Sequence, residues 1–153
     1  MFKQFKKVPG FTLIEILVVV ALIAILAAVT IIAINPARNF AATRNSSRSA
    51  HLASILDAVT QYTSEAGNTL TLMNSGTVLP LCSASPVAIG SGVGNANLAT
   101  TLVPTYIAAM PIDPSVGTAA NTGYSICITF AVSGRVQLSA PNAENGAVIT
   151  VQR

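Results

Sequence analysis

From Ile16 to Ile34 the chain reads ILVVVALIAILAAVTIIAI, with Thr30 as the only polar interruption. With Phe11–Glu15 in front, the stretch reaches about 24 residues, which as a helix covers ~36 Å against a hydrocarbon core of ~30 Å. The run is apolar on every face, as a helix exposed to lipid or wholly buried must be. From Ala37 to Ala66 the pattern changes: Leu52, Ile55, Leu56, Val59 and Tyr62 recur at three- and four-residue steps and predict a helix with one apolar face. Gly67 is its natural stop. Between the two patterns stands Asn35-Pro36. Proline removes a helix hydrogen bond and crowds the preceding turn, so the prediction is one long helix kinked or locally melted near Ile32–Pro36. The alternative is that the first helix ends and a second begins, with Pro36 in its first turn and Asn35 as its cap.

Beyond Gly67 the periodicity dissolves into Gly, Ser, Asn and Pro. Ile89-Gly90-Ser91-Gly92-Val93-Gly94 lacks the Lys and the strand–helix frame of a phosphate loop and reads as a flexible surface loop. Asn97 is placed to cap a short helix that stops before Pro104, and Pro111-Ile112-Asp113-Pro114 is turn chemistry. Tyr124 to Val132 alternates as a strand, Ser133-Gly134-Arg135 turns, Val136–Ser139 returns, and Gly146–Gln152 supplies a third strand. A helix followed by a small antiparallel sheet is an α+β arrangement.

Composition fits that division. Charged residues make up 8% of the 153 residues and hydrophobic ones 52%, with no Trp. Disordered chains carry the opposite bias. The net charge of +3 is local: Lys3, Lys6 and Lys7 are the only lysines, and beyond Gly10 the five arginines balance the five acids. The basic character therefore marks the first ten residues and is no footprint for nucleic acid. Charge alone leaves the orientation in a membrane open, because Arg38, Arg44 and Arg48 after the span match the three lysines before it. Cys82 and Cys127, an even pair in a weakly charged, small-residue domain, favour export of the C-terminal part. The span is also too long for a secretory signal, whose cleavage site follows its apolar core. Here the small residue, Gly10, comes first. An ordinary membrane anchor stays open.

The segment Lys6-Lys7-Val8-Pro9-Gly10-Phe11-Thr12-Leu13-Ile14-Glu15 resembles the processing site of type IV prepilins and pseudopilins. In that family a short basic leader ends in Gly, an aromatic follows, and Glu is fifth in the mature chain, just ahead of the apolar helix. The resemblance implies cleavage between Gly10 and Phe11 by a membrane-embedded prepilin peptidase, then methylation of the new Phe11 amine. It implies that Glu15 faces the Phe11 amine of a neighbouring subunit in a filament core. It further implies a single-pass precursor in the inner membrane with its N-terminus inside, held in lipid and then drawn into a homopolymer by a cytoplasmic assembly ATPase and a membrane platform. The expected layout is a leader at 1–10, a transmembrane and polymerisation helix at 11–35, an amphipathic helix at 36–67 and a pilin-like head at 68–153. The stretch from Leu98 to Pro114 also resembles a Leu-Val-Pro-x-Tyr-Ile…Pro-x-Asp-Pro segment of that family. Its pseudopilin members carry a calcium loop further on, but SVGTAANTG after Pro114 has no carboxylate and calcium is not carried over.

Some residues have readings independent of family. An acid in a spanning helix costs roughly 2.5–3.5 kcal/mol at the bilayer centre, and less near an end. Glu15 therefore wants a partner, and Thr12-x-x-Glu15 has capping-box spacing. Capping in the single subunit and pairing in the polymer are compatible. Arg44 and Arg48, one turn apart, read as a solvated or headgroup-contacting face, with filament packing second. His51, the only histidine, has no partner at metal-ligand spacing, so neither a metal nor another cofactor is expected. Asn45-Ser46-Ser47 fits a glycosylation sequon but falls inside the second helix pattern. A Cys82–Cys127 bridge would close about 46 residues and, in the chain-entropy model, stabilise by roughly 4 kcal/mol at most, the alternative being two buried thiols. With one His, five acids and no nucleophile elbow, an enzyme is disfavoured. Three functions remain: a surface-filament subunit, a pseudopilin of a type II secretion or DNA-uptake system, and a membrane-tethered binding protein. Adhesion, motility, secretion and DNA uptake are all open to the first two.

Overall fold

The structure, a computed structural model, describes residues 10–130 and 135–153. The leader lysines, Pro9, the Ala131–Val132 end of the expected strand and the Ser133-Gly134 turn lie outside the described residues. The chain divides into two compact units, Met1–Asn39 and Phe40–Arg153.

In the first unit, helix α1 spans Leu13–Ile34 and buries none of its residues. Its 22 residues rise ~33 Å, so it is long and apolar enough to cross a membrane. Its one internal polar side chain is satisfied within the helix, since Thr30 Oγ1 donates to the Ala27 carbonyl at 2.9 Å. That is what a helix in hydrocarbon requires. The expected single kinked helix is instead two. Asn35 leaves the helical region at φ 47° and ψ 75°, and helix α2 starts at Pro36 and runs to Ser64. Proline disfavours helical geometry in the residue before it, and asparagine tolerates the left-handed region. The Asn35 side chain then caps α2, its Oδ1 accepting from the Arg38 N–H at 3.3 Å.

In the second unit, α2 carries one buried stripe that includes Leu52, Ile55, Leu56, Val59 and Tyr62. It stops two residues before the Ala66 expected from the pattern, and Gly67 takes a φ of +88° in the turn beyond. Two single-turn helices, α3 (Leu70–Met73) and α4 (Ala99–Leu102), flank strand β1 (Val87–Ala88). Strands β2 (Ser125–Ile128), β3 (Val136–Ser139) and β4 (Thr150–Gln152) complete an antiparallel sheet in the order β1-β2-β3-β4. Ile126 pairs with Leu138, which pairs with Val151. Ile126 and Leu138 are fully buried and join the α2 stripe in one core with Met73, Ile89, Leu98 and Leu102. The fold is α+β, an apolar N-terminal helix followed by a small sheet.

Three details depart from the sequence reading. β2 and β4 are shorter than the alternation suggested, and the two-residue β1 left no periodic signal. Asn97 does not cap α4: Leu98 holds the N-cap position with no side-chain bond. The glycine loop is tied down rather than free, because Ser91 and Gly92 donate to the Ala119 and Ala120 carbonyls at 3.1 and 2.9 Å. A Cβ on Gly90 would run into the Ala120 carbonyl, so this approach needs glycine there.

Cys82 and Cys127 are joined, their Cα atoms 5.0 Å apart. The backbone supports the junction: Cys82 N–H donates to the Ile128 carbonyl, and Ile128 N–H to the Pro80 carbonyl, each at 2.9 Å. In the isolated protein we expect alkylation to add no mass without reductant and two adducts after reduction. Labelling before reduction would show the pair to be open.

Candidate processing and assembly site

The N-terminal segment presents its groups in the order that chemistry on it would need. Gly10 is exposed, outside any helix, and a Cβ added there would meet nothing within 4 Å. A peptidase needs such an accessible bond. Phe11 is 85% exposed, and among the described residues nothing covers its ring. Thr12 is the N-cap of α1, at φ −80° and ψ 150°.

Glu15 closes a full capping box. Its Oε2 accepts from the Thr12 N–H at 3.0 Å and the Thr12 hydroxyl at 2.9 Å, and its own N–H donates to Thr12 Oγ1 at 3.3 Å. Two helix-end donors are thereby satisfied, with the carboxylate at the positive end of the helix dipole. All these groups lie after Gly10, so cutting the Gly10–Phe11 bond would leave the box intact. Both side-chain contacts fall on Oε2. Glu15 stays exposed, and its second oxygen remains open to a donor from elsewhere.

The second unit holds a different polar cluster, and here the sequence reading is corrected. Arg44 and Arg48 do not form a solvated face. Arg48 is fully buried, and its five N–H donors all find acceptors. Nε and Nη2 grip Asp113 at 2.7 and 3.1 Å, Nη1 reaches Asn45 Oδ1 at 2.9 Å and Glu144 Oε2 at 3.0 Å, and Nη2 also meets Ser115 Oγ at 2.8 Å. Arg44 forks onto Glu144 at 2.7 and 2.8 Å. Asn45 completes the latch: its Nδ2 donates to the Glu144 carbonyl at 2.8 Å and its Oδ1 accepts the Glu144 N–H at 3.0 Å. The sequon asparagine is thus engaged through both ends of its amide. The cluster ties α2 to the turn at Asp113 and to the loop at Glu144. A signal for it was present, since Arg48 stands four residues before Leu52 on the apolar stripe, where a charge must be buried with a partner.

Asp113 anchors its own turn, Oδ1 accepting from the N–H groups of Ser115 and Val116 at 2.9 and 3.2 Å. Burial works to raise its pKa, but the Arg48 guanidinium and these donors prevail and hold it well below the carboxylate range. Hydrogen bonds from Arg44 and Arg48 pull Glu144 down from 4.5 to about 2. A carboxylate depressed on folding contributes stability above its unfolded pKa and loses that contribution as pH falls toward the folded value. The thermal midpoint of the second unit should therefore hold steady above pH 4.5 and decline from there toward pH 2. Glu144→Gln should flatten that decline in a pH-resolved melting series; an unchanged slope would remove Glu144 from the account.

His51 faces the core, its Nδ1 lying 2.8 Å from the Tyr124 hydroxyl, which burial and the Asp113 charge push up to about 12. Among the described residues no three His, Cys, Asp or Glu side chains gather as metal ligands.

Against known proteins, residues 5–33 match a family described as the prokaryotic N-terminal methylation motif. No curated protein and no solved structure matches the chain. The match spans the Gly10–Phe11 junction, Glu15 and most of α1, so over these residues the chain carries the prepilin-type signature of type IV pilins and pseudopilins.

Proposed function

We propose that this protein is a structural subunit of a type IV pilus-like surface filament. Prepilin peptidase cuts between Gly10 and Phe11, the Phe11 amine is methylated, and α1 holds the subunit in the inner membrane until an assembly ATPase and platform extract it. In the polymer, α1 helices leave lipid for one another, and Glu15 meets the Phe11 amine of a neighbour. Low dielectric there strengthens the pair and penalises a carboxylate left alone. The supporting observation is α1 itself. A helix of 22 residues with no buried face and an acid in its first turn has no use for its surface within one chain. Lipid first and copies of itself afterwards would use all of it.

The test is N-terminal sequencing of the mature protein combined with electron microscopy of sheared cell-surface material. The expected outcome is a chain beginning at N-methyl-Phe11, found in filaments. A chain beginning at Met1 and remaining as a bilayer monomer would overturn the proposal.

A further inference from the structure

Asn145 is the one asparagine in the chain followed by glycine. The pair lies in a tight turn ahead of β4, outside helix and strand. Both residues hold left-handed backbone, at φ 57° and φ 70°, and the Ala147 N–H closes the turn on the Glu144 carbonyl at 3.1 Å. Asn145, Gly146 and Ala147 are exposed, and a Cβ added at Gly146 would meet nothing within 4 Å. Exposed turns of this kind are where a folded chain tolerates local opening. The residue just before the pair is held tightly. Asn45 binds both main-chain groups of Glu144, and Arg44 and Arg48 share its carboxylate.

A main-chain nitrogen that loses its proton to base can attack the side-chain carbonyl carbon of the asparagine before it. Glycine leaves that nitrogen unshielded and lets the backbone rotate into the attack geometry, which a side chain would oppose. Here the rotation breaks one main-chain hydrogen bond of the turn, from Ala147 to Glu144. We propose that Asn145 is a site of spontaneous deamidation in the folded protein. The Gly146 nitrogen bonds to Asn145 Cγ, the Cγ–Nδ2 bond breaks, and ammonia leaves behind a cyclic imide. Water then opens the ring. Attack at Cγ gives aspartate with the chain restored, and attack at the main-chain carbonyl gives isoaspartate, whose chain runs through the former side chain. Water is consumed, ammonia is released, and no oxidant or reductant takes part. Either product sets a new carboxylate one residue from Glu144, in a cluster where Arg44 and Arg48 are already matched by Glu144 and Asp113. Isoaspartate also adds a methylene to the main chain within the turn, straining the Ala147–Glu144 bond. The reaction needs neither lipid nor a neighbouring subunit, so it stands apart from the assembly reading.

The test holds the full-length protein in detergent at about pH 8.5 and 37 °C, with trypsin digestion and mass spectrometry of samples taken over about two weeks. Cleavage after Arg135 yields residues 136–153, which carry Asn145 and, as an internal control, the exposed Asn142 followed by Ala143. The amide-to-acid mass gain should appear at Asn145 at least five-fold faster than at Asn142 or any other asparagine. An isoaspartyl methyltransferase should label the same peptide. Gly146→Ala should slow the conversion at least ten-fold. Alanine is strained at φ 70° and loosens the turn, so a slower rate reports the shielded nitrogen and not a tighter backbone. Asn145→Gln, whose longer side chain closes an imide far more slowly, should take no methyl label. It should also keep its melting temperature through the incubation while that of the parent falls. The proposal is overturned if Asn145 remains an amide, if Asn142 converts as fast, or if Gly146→Ala converts at the parental rate. An equal fall in melting temperature for the parent and Asn145→Gln would overturn the effect on the Glu144 cluster.

Discussion

Arg48→Met should lower the stability of the second unit by about 3–5 kcal/mol, the usual effect of removing one partner of a buried ion pair. For a unit near 100 residues, that is a fall in melting temperature on the order of 15 °C. The cause is the group left behind: Asp113 is buried, and its side chain would keep only its own turn as partner. Lysine should not rescue the site, because a single ammonium cannot reproduce a fork that serves Asp113, Ser115, Asn45 and Glu144 together. Pairing Arg48→Met with Asp113→Asn removes both charges while Oδ1 still anchors the turn, and should recover more than half of the loss. Urea unfolding of the four proteins of this cycle measures the coupling. A single-variant loss under 1 kcal/mol would place the latch outside the determinants of stability.

Glu15→Ala should leave cleavage at Gly10 complete and reduce filament yield at least 100-fold. The two readouts separate because the proposed cleavage point, Gly10–Phe11, lies outside the helix, whereas the carboxylate has an oxygen open to a partner beyond the chain. Losing the capping box costs ~1 kcal/mol at the tip of a helix of 22 residues. That is too little to unfold α1 in lipid, so a large assembly defect would report the intersubunit pair. Glu15→Gln sharpens the point: it keeps the capping-box spacing, offers no charge, and should assemble poorly as well. Normal filaments from either variant, counted by microscopy and immunoblot of sheared fractions, would contradict the proposed pairing.

How far the sequence could be read follows from how local each signal was. α1 was legible because twenty-odd apolar residues admit few structures, and the α2 face because Leu52 through Tyr62 repeat on one side. Glu15 and Thr12 are three residues apart, so their capping box could be named in advance. The Arg48 latch joins residues 65 and 96 positions apart, and no window along the chain contains it. Its trace is a cation on an apolar stripe, masked because Arg44 one turn earlier suggests a polar face. For the glycine loop, the surface position was legible and the anchoring was not, for a similar reason. Glycine signals freedom in isolation, but here it permits backbone contact with Ala120, 30 residues on. β1 is two residues long and offers no period to detect.

The Cys82–Cys127 junction has a consequence for a chain that has been cut. The chain between the two cysteines includes the exposed tip at Val93-Gly94, a place where a protease could reach the backbone. A cut there would leave both pieces attached through sulfur, with the Gly90–Ala120 contact and the sheet still holding the later piece in position. A nick there would then scar the molecule without splitting it.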